Sequence, residues 1–313
     1  MTLDRAARVL VAGSTGLVGS AVIRRLERVG FQDVVGIHSA DADLTDTAAT
    51  RSVFERLRPN VVVDAAARVG GIAANHAEPV EFLNDNLLIQ TNLFTAAHAV
   101  GVHRLLFLGS SCIYPRDAAQ PIKEDALLTG PLESTNDAYA IAKLAGLVAV
   151  QSYRRRYGHR WISAMPTNVY GPGDNFHPTR SHVLPALVRR FYEAARDDAE
   201  EVVVWGTGTP RREFIHSDDL GAACVHLLDH YDAAEPVNVG VGTDVSIAEL
   251  AELVAEAAGF RGRIVWDRSK PDGTPRKLLD VSRLAGTGWK PRFGLAEGIR
   301  DTVEWFASSA TRL

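Results

Sequence analysis

Short apolar runs alternate with helical patterns through the first half of this sequence, and this alternation constrains the fold more than any other feature. The runs are rich in Val and Leu and too short for helices, which predicts buried strands at residues 9–12, 34–38, 61–65 and 105–108. Helical patterns separate them at residues 17–29, 47–58, 80–99 and 138–157. This order predicts right-handed βαβ units and a parallel sheet with helices on both faces.

The pattern changes beyond a fifth predicted strand at residues 161–165, which ends at Pro166. Turn residues and aromatic residues become frequent there. Helices are predicted at 183–197, 218–230, 246–258 and 295–308, with short strands at 202–205, 237–239 and 263–266. We therefore predict an α/β protein with a Rossmann-type, doubly wound parallel sheet over residues 1–166. A smaller α/β substrate lobe, interleaved with the first domain, is predicted over residues 167–313.

Composition excludes several classes of protein. With 46% hydrophobic and 23% charged residues, the chain is neither disordered, nor collagen-like, nor a coiled coil. A net charge of -4 argues against a general nucleic-acid binder. Two cysteines are too few for a disulfide framework, no apolar run reaches the ~18 residues of a membrane span, and the first residues lack a signal peptide's apolar stretch. We expect a cytoplasmic protein without membrane or nucleic-acid partners.

A glycine-rich turn follows the first predicted strand and opens the first predicted helix. Glycines allow a tight turn and a close approach of the backbone to a pyrophosphate, whose charge is stabilised by the helix N-terminus. The spacing alone is a weak signal, because ordinary strand–helix turns also contain glycines, but its position favours dinucleotide binding. The residues predicted to hold the cofactor here are Gly13, Ser14, Thr15, Gly16, Leu17, Val18 and Gly19.

The residues after the second predicted strand bear on the choice between NAD and NADP. An acidic residue at that place bonds to the ribose 2′-hydroxyl and repels a 2′-phosphate. The sequence has His38, Ser39 and Ala40 there, and Asp41 and Asp43 come only later. The missing acid favours NADP, although no arginine is present to bind the phosphate.

Tyr139 and Lys143 are four residues apart, so a predicted helix places them on one face. A tyrosine has a reference pKa near 10 and needs a nearby cation before it exchanges protons at neutral pH. This spacing also occurs by chance, as a half-exposed tyrosine and a surface lysine. Ser110, at the end of the fourth predicted strand, makes it more specific because its hydroxyl joins Tyr139 in bonding a substrate carbonyl. Together with the glycine turn, the set resembles the extended short-chain dehydrogenase/reductase family.

Cys112 follows Ser110 closely, where a thiol could move a proton at a carbon next to a ketone, since Tyr139 and Ser110 stabilise the resulting enolate. A single cysteine is more often a small buried hydrophobic residue. His182 is the candidate for a second acid–base group because imidazole titrates near neutrality, and the alternative is a capping or surface histidine. The spacing of His177 and His182 fits no usual zinc ligand pattern, so no metal site is predicted.

Six motifs between residues 69 and 277 resemble the GDP-L-fucose synthase family, and the resemblance covers nearly the whole chain. They are Ser110-Ser-Cys-Ile-Tyr-Pro115, Val69-Gly-Gly71, Tyr139-Ala-Ile-Ala-Lys143, Pro166-Thr-Asn-Val-Tyr-Gly-Pro172, Asp174-Asn-Phe-His-Pro178 and Lys270-Pro-Asp-Gly-Thr-Pro-Arg-Lys277. The resemblance implies epimerisation of GDP-4-keto-6-deoxy-mannose at C3 and C5, followed by NADPH-dependent reduction at C4 to GDP-L-fucose. It also implies a homodimer formed through the helices at 80–99 and 138–157.

The resemblance further implies roles for individual residues. Tyr139 donates a proton to the 4-oxygen, Lys143 lowers its pKa and contacts the cofactor ribose, and Ser110 orients the ketone. Cys112 and His182 match the pair that moves protons at C3 and C5, with His182 also near the cofactor.

Other positions are implied to contact the two ligands. The residues matching the nicotinamide site are Leu108, Gly109, Ser110, Ser111, Pro166, Thr167, Asn168 and Val169, and those beside the adenosine end are Asp43 and Leu44. The residues matching the GDP-sugar site are Arg190, Trp205, Arg212 and Asp272. Arginine suits a diphosphate through forked hydrogen bonds, and tryptophan stacks on a base or sugar. Arg190, on a predicted helix, also fits a surface residue.

Two alternative functions remain open from the sequence. One is another nucleotide-sugar 4-epimerase or 4-reductase, in which Cys112 is a packing residue. The other is a non-catalytic, dinucleotide-sensing protein on the same fold, since a fold alone does not determine function. Such a protein has no need of Tyr139 and Lys143, which this chain keeps.

Overall fold

The computed structural model describes residues 2–178, 180–270 and 272–310; Pro271, which belongs to the last of the motifs above, lies outside the described residues. The strands are β1 (Arg8–Ala12), β2 (Asp33–Ile37), β3 (Val61–Asp64), β4 (Arg104–Leu108), β5 (Arg160–Pro166), β6 (Asn168–Tyr170), β7 (Glu201–Trp205), β8 (Arg211–Arg212), β9 (Phe214–His216), β10 (Val237–Val239), β11 (Val245–Ser246), β12 (Arg263–Asp267) and β13 (Arg276–Lys277). The helices are α1 (Leu17–Arg28), α2 (Thr47–Leu57), α3 (Ile72–Ala77), α4 (Pro79–Ala99), α5 (Asp137–Tyr157), α6 (Val183–Arg196), α7 (Ser217–His230), α8 (Ile247–Ala258), α9 (Ser282–Gly286) and α10 (Leu295–Ala310).

A six-stranded parallel sheet forms the centre of the first lobe, in the order β10-β5-β4-β3-β1-β2. Its strands are apolar on both faces because helices cover both, as in other parallel sheets. The strand order reverses between β1 and β3, and ligands of such sheets bind beyond the carboxyl ends of the strands at this point. The predicted Rossmann-type α/β fold is confirmed.

Two apolar layers hold the helices to this sheet. One layer joins β1, β3 and β4 to α1 and α7, and it includes Val22 and Leu26 of α1. The helices α1 and α7 approach closely because Gly221 faces Ala21, whose backbone would lie 2.7 Å from a Cβ at Gly221. The other layer joins the opposite face to α2, α4 and α5.

The second lobe has its own core between α6, α8 and α10. Phe191, Leu250 and Ile299 are fully buried there. The parallel pair β7–β12 and the small sheet β11-β8-β13 complete the lobe. Ser246 and Glu249 cap the start of α8 reciprocally, which satisfies two free amides of its first turn.

The two lobes are interleaved along the chain. After the second lobe has begun, α7 and β10 return to the first lobe, where β10 pairs with β5. Arg104 of β4 fixes the end of α7 by donating to the carbonyls of Leu227 and Leu228 at 2.9 Å, and to that of Tyr231. The carboxyl end of the sheet therefore faces segments from both halves of the chain. Within the described ranges, no helix is both long and apolar enough to cross a membrane.

Candidate active site

Ser110 and Cys112 lie side by side where β4 ends. The chain passes close to β5 at Gly109, where a Cβ would lie 2.4 Å from Sδ of Met165, so a larger residue there would displace the end of that side chain. A short 3-10 turn over Ser111–Ile113 follows, and Ser110 Oγ accepts a hydrogen bond from the Cys112 amide at 3.1 Å. The turn therefore holds a hydroxyl and a thiol at the carboxyl edge of the sheet.

Tyr139, in the first turn of α5, completes the hydroxyl pair. Its phenol hydrogen-bonds to the side chain of Ser110, and its ring packs edge-on against Phe82 with centroids 6.4 Å apart. Burial raises the pKa of Tyr139 above its ordinary value, and the neighbouring Cys112 raises it further, while the Ser110 bond acts in the opposite direction. The phenol is therefore protonated at neutral pH and is suited to donate.

Lys143 lies one turn beyond Tyr139 and is 3% exposed. Its Nζ donates to the carbonyl of Leu108 at 2.9 Å and lies 4.9 Å from the ring centroid of Phe107. The expected lowering of the Tyr139 pKa by Lys143 is not what these surroundings give, since burial and the thiol raise that pKa instead. Burial also lowers the pKa of Lys143 itself, and Asp64 opposes this effect.

Cys112 faces the cleft. Its Sγ accepts a hydrogen bond from Nδ2 of Asn136 at 3.2 Å and lies 3.9 Å from Nζ of Lys277. Arg212 also faces the thiol, which opposes the lowering of the Arg212 pKa by burial. Cys224, in contrast, is fully buried in the core, where burial raises its pKa to about 12. The half-buried Cys112 is thus surrounded by polar groups from both lobes.

His182 immediately precedes α6 in the second lobe. The loop before α3 fixes its approach, because the Gly71 amide donates to the Arg180 carbonyl at 3.2 Å. A Cβ at Gly71 would lie 2.6 Å from the Ser181 carbonyl oxygen, so the Val69-Gly-Gly71 motif allows this contact. Desolvation lowers the pKa of His182, which favours the neutral imidazole.

The glycine turn forms a cradle between β1 and α1. Gly13 has a φ of +77°, and a Cβ there would lie 2.7 Å from the Ala65 carbonyl oxygen. A Cβ at Gly19 would lie 2.1 Å from the carbonyl oxygen of Gly13. Gly16 precedes α1 without any side-chain cap, so the first amides of α1 point toward the turn. Thr15 and Gly16 are exposed at the tip, while Ser14, Leu17 and Val18 are half-buried. This arrangement fits the pyrophosphate of a dinucleotide.

The adenosine end of the predicted cofactor site follows β2. Asp41 Oδ2 accepts the His38 amide at 2.9 Å and lies 3.2 Å from Nδ1 of the same histidine. Asp43 accepts hydrogen bonds from the amide and hydroxyl of Thr45, and these bonds lower the pKa of Asp43. Leu44 is buried beside them.

The segment after β5 is anchored by an acid that the sequence interpretation does not single out. Thr167 Oγ and Asn168 Nδ2 donate to the Glu213 carbonyl at 3.1 and 2.8 Å. The fully buried Glu213 carboxylate accepts amide hydrogen bonds from Val241 at 2.7 Å and Leu279 at 3.0 Å. One residue therefore joins three segments of the cleft. Pro166, the last residue of β5, and Val169 in β6 are both half-buried here.

The four residues predicted to hold the GDP-sugar fall into two groups. Arg190 and Trp205 line a cavity of about 410 Å³ between α6 and β7, where Arg190 Nη1 donates to the Val203 carbonyl at 2.6 Å. Trp205 is 58% exposed. Arg212 lies instead beside Cys112, and Asp272 accepts the Thr207 amide at 2.7 Å.

Comparisons with known proteins agree along the chain. The model of the NAD dependent epimerase/dehydratase family matches residues 9–240. GDP-L-fucose synthase 1 of Arabidopsis thaliana is 56% identical, covering 97% of this chain and 94% of that protein. GDP-L-fucose synthase of Escherichia coli (strain K12) is 49% identical, covering 97% and 98%.

This chain belongs to the GDP-L-fucose synthase family. Among solved structures, a GDP-L-fucose synthetase from Naegleria fowleri bound to NADP has a TM-score of 0.92 at 32% identity, covering 99% of this chain and 96% of that one. The predicted resemblance and the predicted enzyme class, an NAD(P)-dependent oxidoreductase with epimerase activity, are confirmed.

Asn136, Lys277 and Asp64 are polar neighbours of the proposed catalytic groups in this GDP-L-fucose synthase family member, and the sequence interpretation assigns them no role. Asn136 precedes Tyr139 by three residues, and Lys277 ends a recognised motif, so the sequence positions of both could have indicated a place in the site. Asp64 ends an otherwise apolar strand, and an acid in such a place is itself a signal.

Proposed function

We propose that this protein converts GDP-4-keto-6-deoxy-D-mannose to GDP-L-fucose, by epimerisation at C3 and C5 and then by NADPH-dependent reduction at C4. The observation that carries the proposal is the cluster of Ser110, Cys112 and Tyr139 at the end of β4. It occurs in a chain that is 49% and 56% identical, over nearly its whole length, to two GDP-L-fucose synthases.

The hydroxyls of Ser110 and Tyr139 act on the 4-oxygen in both stages. During epimerisation they hydrogen-bond the oxygen of the enolate, which forms when a proton leaves C3 or C5. During reduction Tyr139 gives its proton to the 4-oxygen, and its raised pKa keeps that proton in place until charge develops there. Bound NADPH supplies the hydride for C4.

Cys112 and His182 exchange protons with the sugar carbons. Asn136 and Lys277 hold the sulfur in the cleft, on the side of Ser110. The lowered pKa of His182 leaves its imidazole neutral at pH 7, so it accepts a proton as a base before returning one as an acid. Two such groups are required, because inversion removes a proton from one face of the ring and returns it to the other.

NADP is the proposed cofactor, and two features support this preference over NAD. No acid occupies residues 38–40, and the Asp41 carboxylate is already bonded to His38. The similar synthetase from Naegleria fowleri has NADP bound. We propose that His38 and Ser39 meet the 2′-phosphate. A reactive thiol such as Cys112 persists in a reducing compartment, which supports a cytoplasmic location.

The diphosphate and base of the substrate are proposed to bind along Arg212, Arg190 and Trp205, from the thiol to the groove beside β7.

A homodimer is also proposed, through α4 and α5. Leu88 and Ile141 expose 45% and 47% of their surfaces on these two packed helices, and a second copy would cover them. Light scattering should then give twice the mass of one chain.

A coupled assay tests the function. The purified protein is given GDP-4-keto-6-deoxy-mannose with NADPH or NADH, while nicotinamide absorbance is followed and the product is assigned by NMR. We expect one NADPH consumed per GDP-L-fucose formed, with NADH the poorer donor. A product reduced at C4 with C3 and C5 unchanged contradicts the epimerase role.

Cys112→Ser separates the two stages. In deuterated water without NADPH, the native protein should place deuterium at C3 and C5 of the ketosugar. The exchange should fall about 100-fold or more in the variant, because a hydroxyl is a far weaker acid than a thiol. Cys224→Ala, which changes the cysteine buried in the core, should leave the exchange unaffected.

A further inference from the structure

We propose that Asp64 is a positioning residue, whose buried carboxylate keeps the ammonium of Lys143 charged beside Tyr139 and so sets the alkaline limit of the reduction. The inference rests on the proposed function, because Asp64 acts only through the proposed Tyr139 and Lys143 pair.

The burial of Asp64 calls for a cation. Asp64 is the last residue of β3 and is 1% exposed. Its Oδ1 accepts the Ala66 amide at 3.2 Å, while Oδ2 has no hydrogen-bond partner within the described ranges. A buried carboxylate with one bond is costly unless an opposite charge lies close to it.

The register of β3 and β4 indicates that Lys143 is the cation near Asp64. Asp64 is the register partner of Phe107 on β4, so the two side chains share the face that α4 and α5 cover. Lys143 Nζ lies 4.9 Å from the Phe107 ring centroid and 2.9 Å from the carbonyl oxygen of Leu108. Adjacent strands are about 4.8 Å apart, and the charges of Asp64 and Lys143 each act on the pKa of the other, which agrees with an ammonium near the end of β3.

The two charges support each other. Burial raises the pKa of Asp64 to about 6, and Lys143 holds it from rising further. Burial lowers the pKa of Lys143, and Asp64 opposes that change. Above pH 6 the carboxylate is therefore ionised and favours the protonated lysine.

The other groups around the pair limit which charges can contribute. On α5, Tyr139 lies one turn before Lys143 and faces Cys112. From α4, Gln90 contributes a neutral amide that donates to the Ala142 carbonyl at 2.7 Å, one residue before Lys143. Asp64 is thus the carboxylate that acts on Lys143.

Loss of the Asp64 carboxylate should lower the pKa of Lys143. A buried lysine without its counter-charge gives up its proton at lower pH. A neutral Lys143 no longer offers a charged donor to the ribose of the proposed cofactor. The alkaline fall of the reduction rate must then begin at lower pH.

The experiment compares kcat for NADPH consumption against pH in the native enzyme, Asp64→Asn and Ser163→Ala. Ser163 is a matched control, because it is buried on the same face, is also in register with Phe107, and has no Oγ partner among the described residues. In Asp64→Asn the alkaline limb of the pH profile should move down by about one pH unit, which is a loss of up to tenfold on that limb with little change near neutrality. Ser163→Ala should keep the alkaline limb of its pH profile at the native position.

A uniform fall in kcat at every pH, or an unmoved limb in Asp64→Asn, overturns the inference. If Asp64→Asn does not fold, Asp64→Leu, which suits a buried strand, carries the same expectation. A native enzyme that does not reduce GDP-4-keto-6-deoxy-mannose overturns the proposed function instead.

Discussion

At the scale of single residues, Ser110 connects the groups proposed for the two stages of the reaction. Its hydroxyl accepts the amide of Cys112 and bonds to the phenol of Tyr139. A change at Ser110 therefore moves both the thiol and the phenol.

Tyr139→Phe removes the proposed proton donor and leaves the ring in its contact with Phe82. We expect NADPH consumption to fall by about 100-fold to 10,000-fold, the usual loss for a general acid. Deuterium exchange at C3 and C5 should persist at a reduced rate, because Ser110 still bonds the 4-oxygen. Tyr153→Phe, on the same helix, is the control, and reduction within a few-fold of native in Tyr139→Phe would contradict the assignment.

Asp174→Asn tests a half-buried acid near the start of the second lobe, whose Oδ2 is buried. Burial raises the pKa of Asp174 to about 7, and its Oδ2 has no partner in the described part of the chain. A raised carboxyl pKa means that the native state binds the proton more tightly, so this group destabilises the fold as pH rises from about 4 to 7. The variant should gain about 2 kcal/mol of unfolding free energy at pH 8 and nothing at pH 4. Urea titrations at both pH values measure the difference, and equal gains would contradict it.

At the scale of elements, the loop between β3 and α3 positions the start of α6. Gly71→Ala should displace Ser181 and with it His182, because the added Cβ would lie 2.6 Å from a carbonyl oxygen. We expect deuterium exchange at the sugar carbons to fall at least tenfold, while NADPH affinity measured by fluorescence stays within a few-fold. Gly286→Ala is the matched control, since a Cβ there meets no atom within 4 Å in the described ranges. If Gly71→Ala exchanged deuterium at the native rate, a role for this loop in positioning His182 would be contradicted.

Periodicity predicts the long elements well, because α4, α5, α6 and α8 carry apolar patterns that local sequence shows. The strands β8, β11 and β13 have two residues each, too few for any alternation. Helix α3 is also missed, since it has six residues and is fixed by Asn75, whose amide bonds to the carbonyls of Gly70 and Gly71.

Nonlocal contacts explain what the sequence could not predict about the site. Motifs place Ser110, Cys112 and Tyr139 near each other, and the structure brings them together. The approach of Lys277 to Cys112 joins residues 165 positions apart, and no local pattern encodes it. The position of Asp64 beside Phe107 is likewise set by the sheet register.

At the scale of the whole molecule, the first lobe is incomplete without the second half of the chain. A fragment of residues 2–166 lacks α7 and β10, so the face formed by Val22, Leu106 and Ile162 would be open to water. We expect this fragment to bind a hydrophobic dye and to melt without a cooperative transition, because helix packing supplies most helical stability. Circular dichroism and dye fluorescence test this against the full chain. A cooperative melt of the fragment would show that the predicted first domain folds alone.

Chemical labelling of the two cysteines should report whether the cleft is occupied. Cys224 is sealed in the interior, whereas Cys112 opens to solvent beside an ammonium group. A maleimide should therefore count one thiol on each folded chain and two once the chain is unfolded. A nucleotide sugar bound beside Cys112 should shield the thiol, so that a fall in maleimide labelling measures binding without an engineered tag.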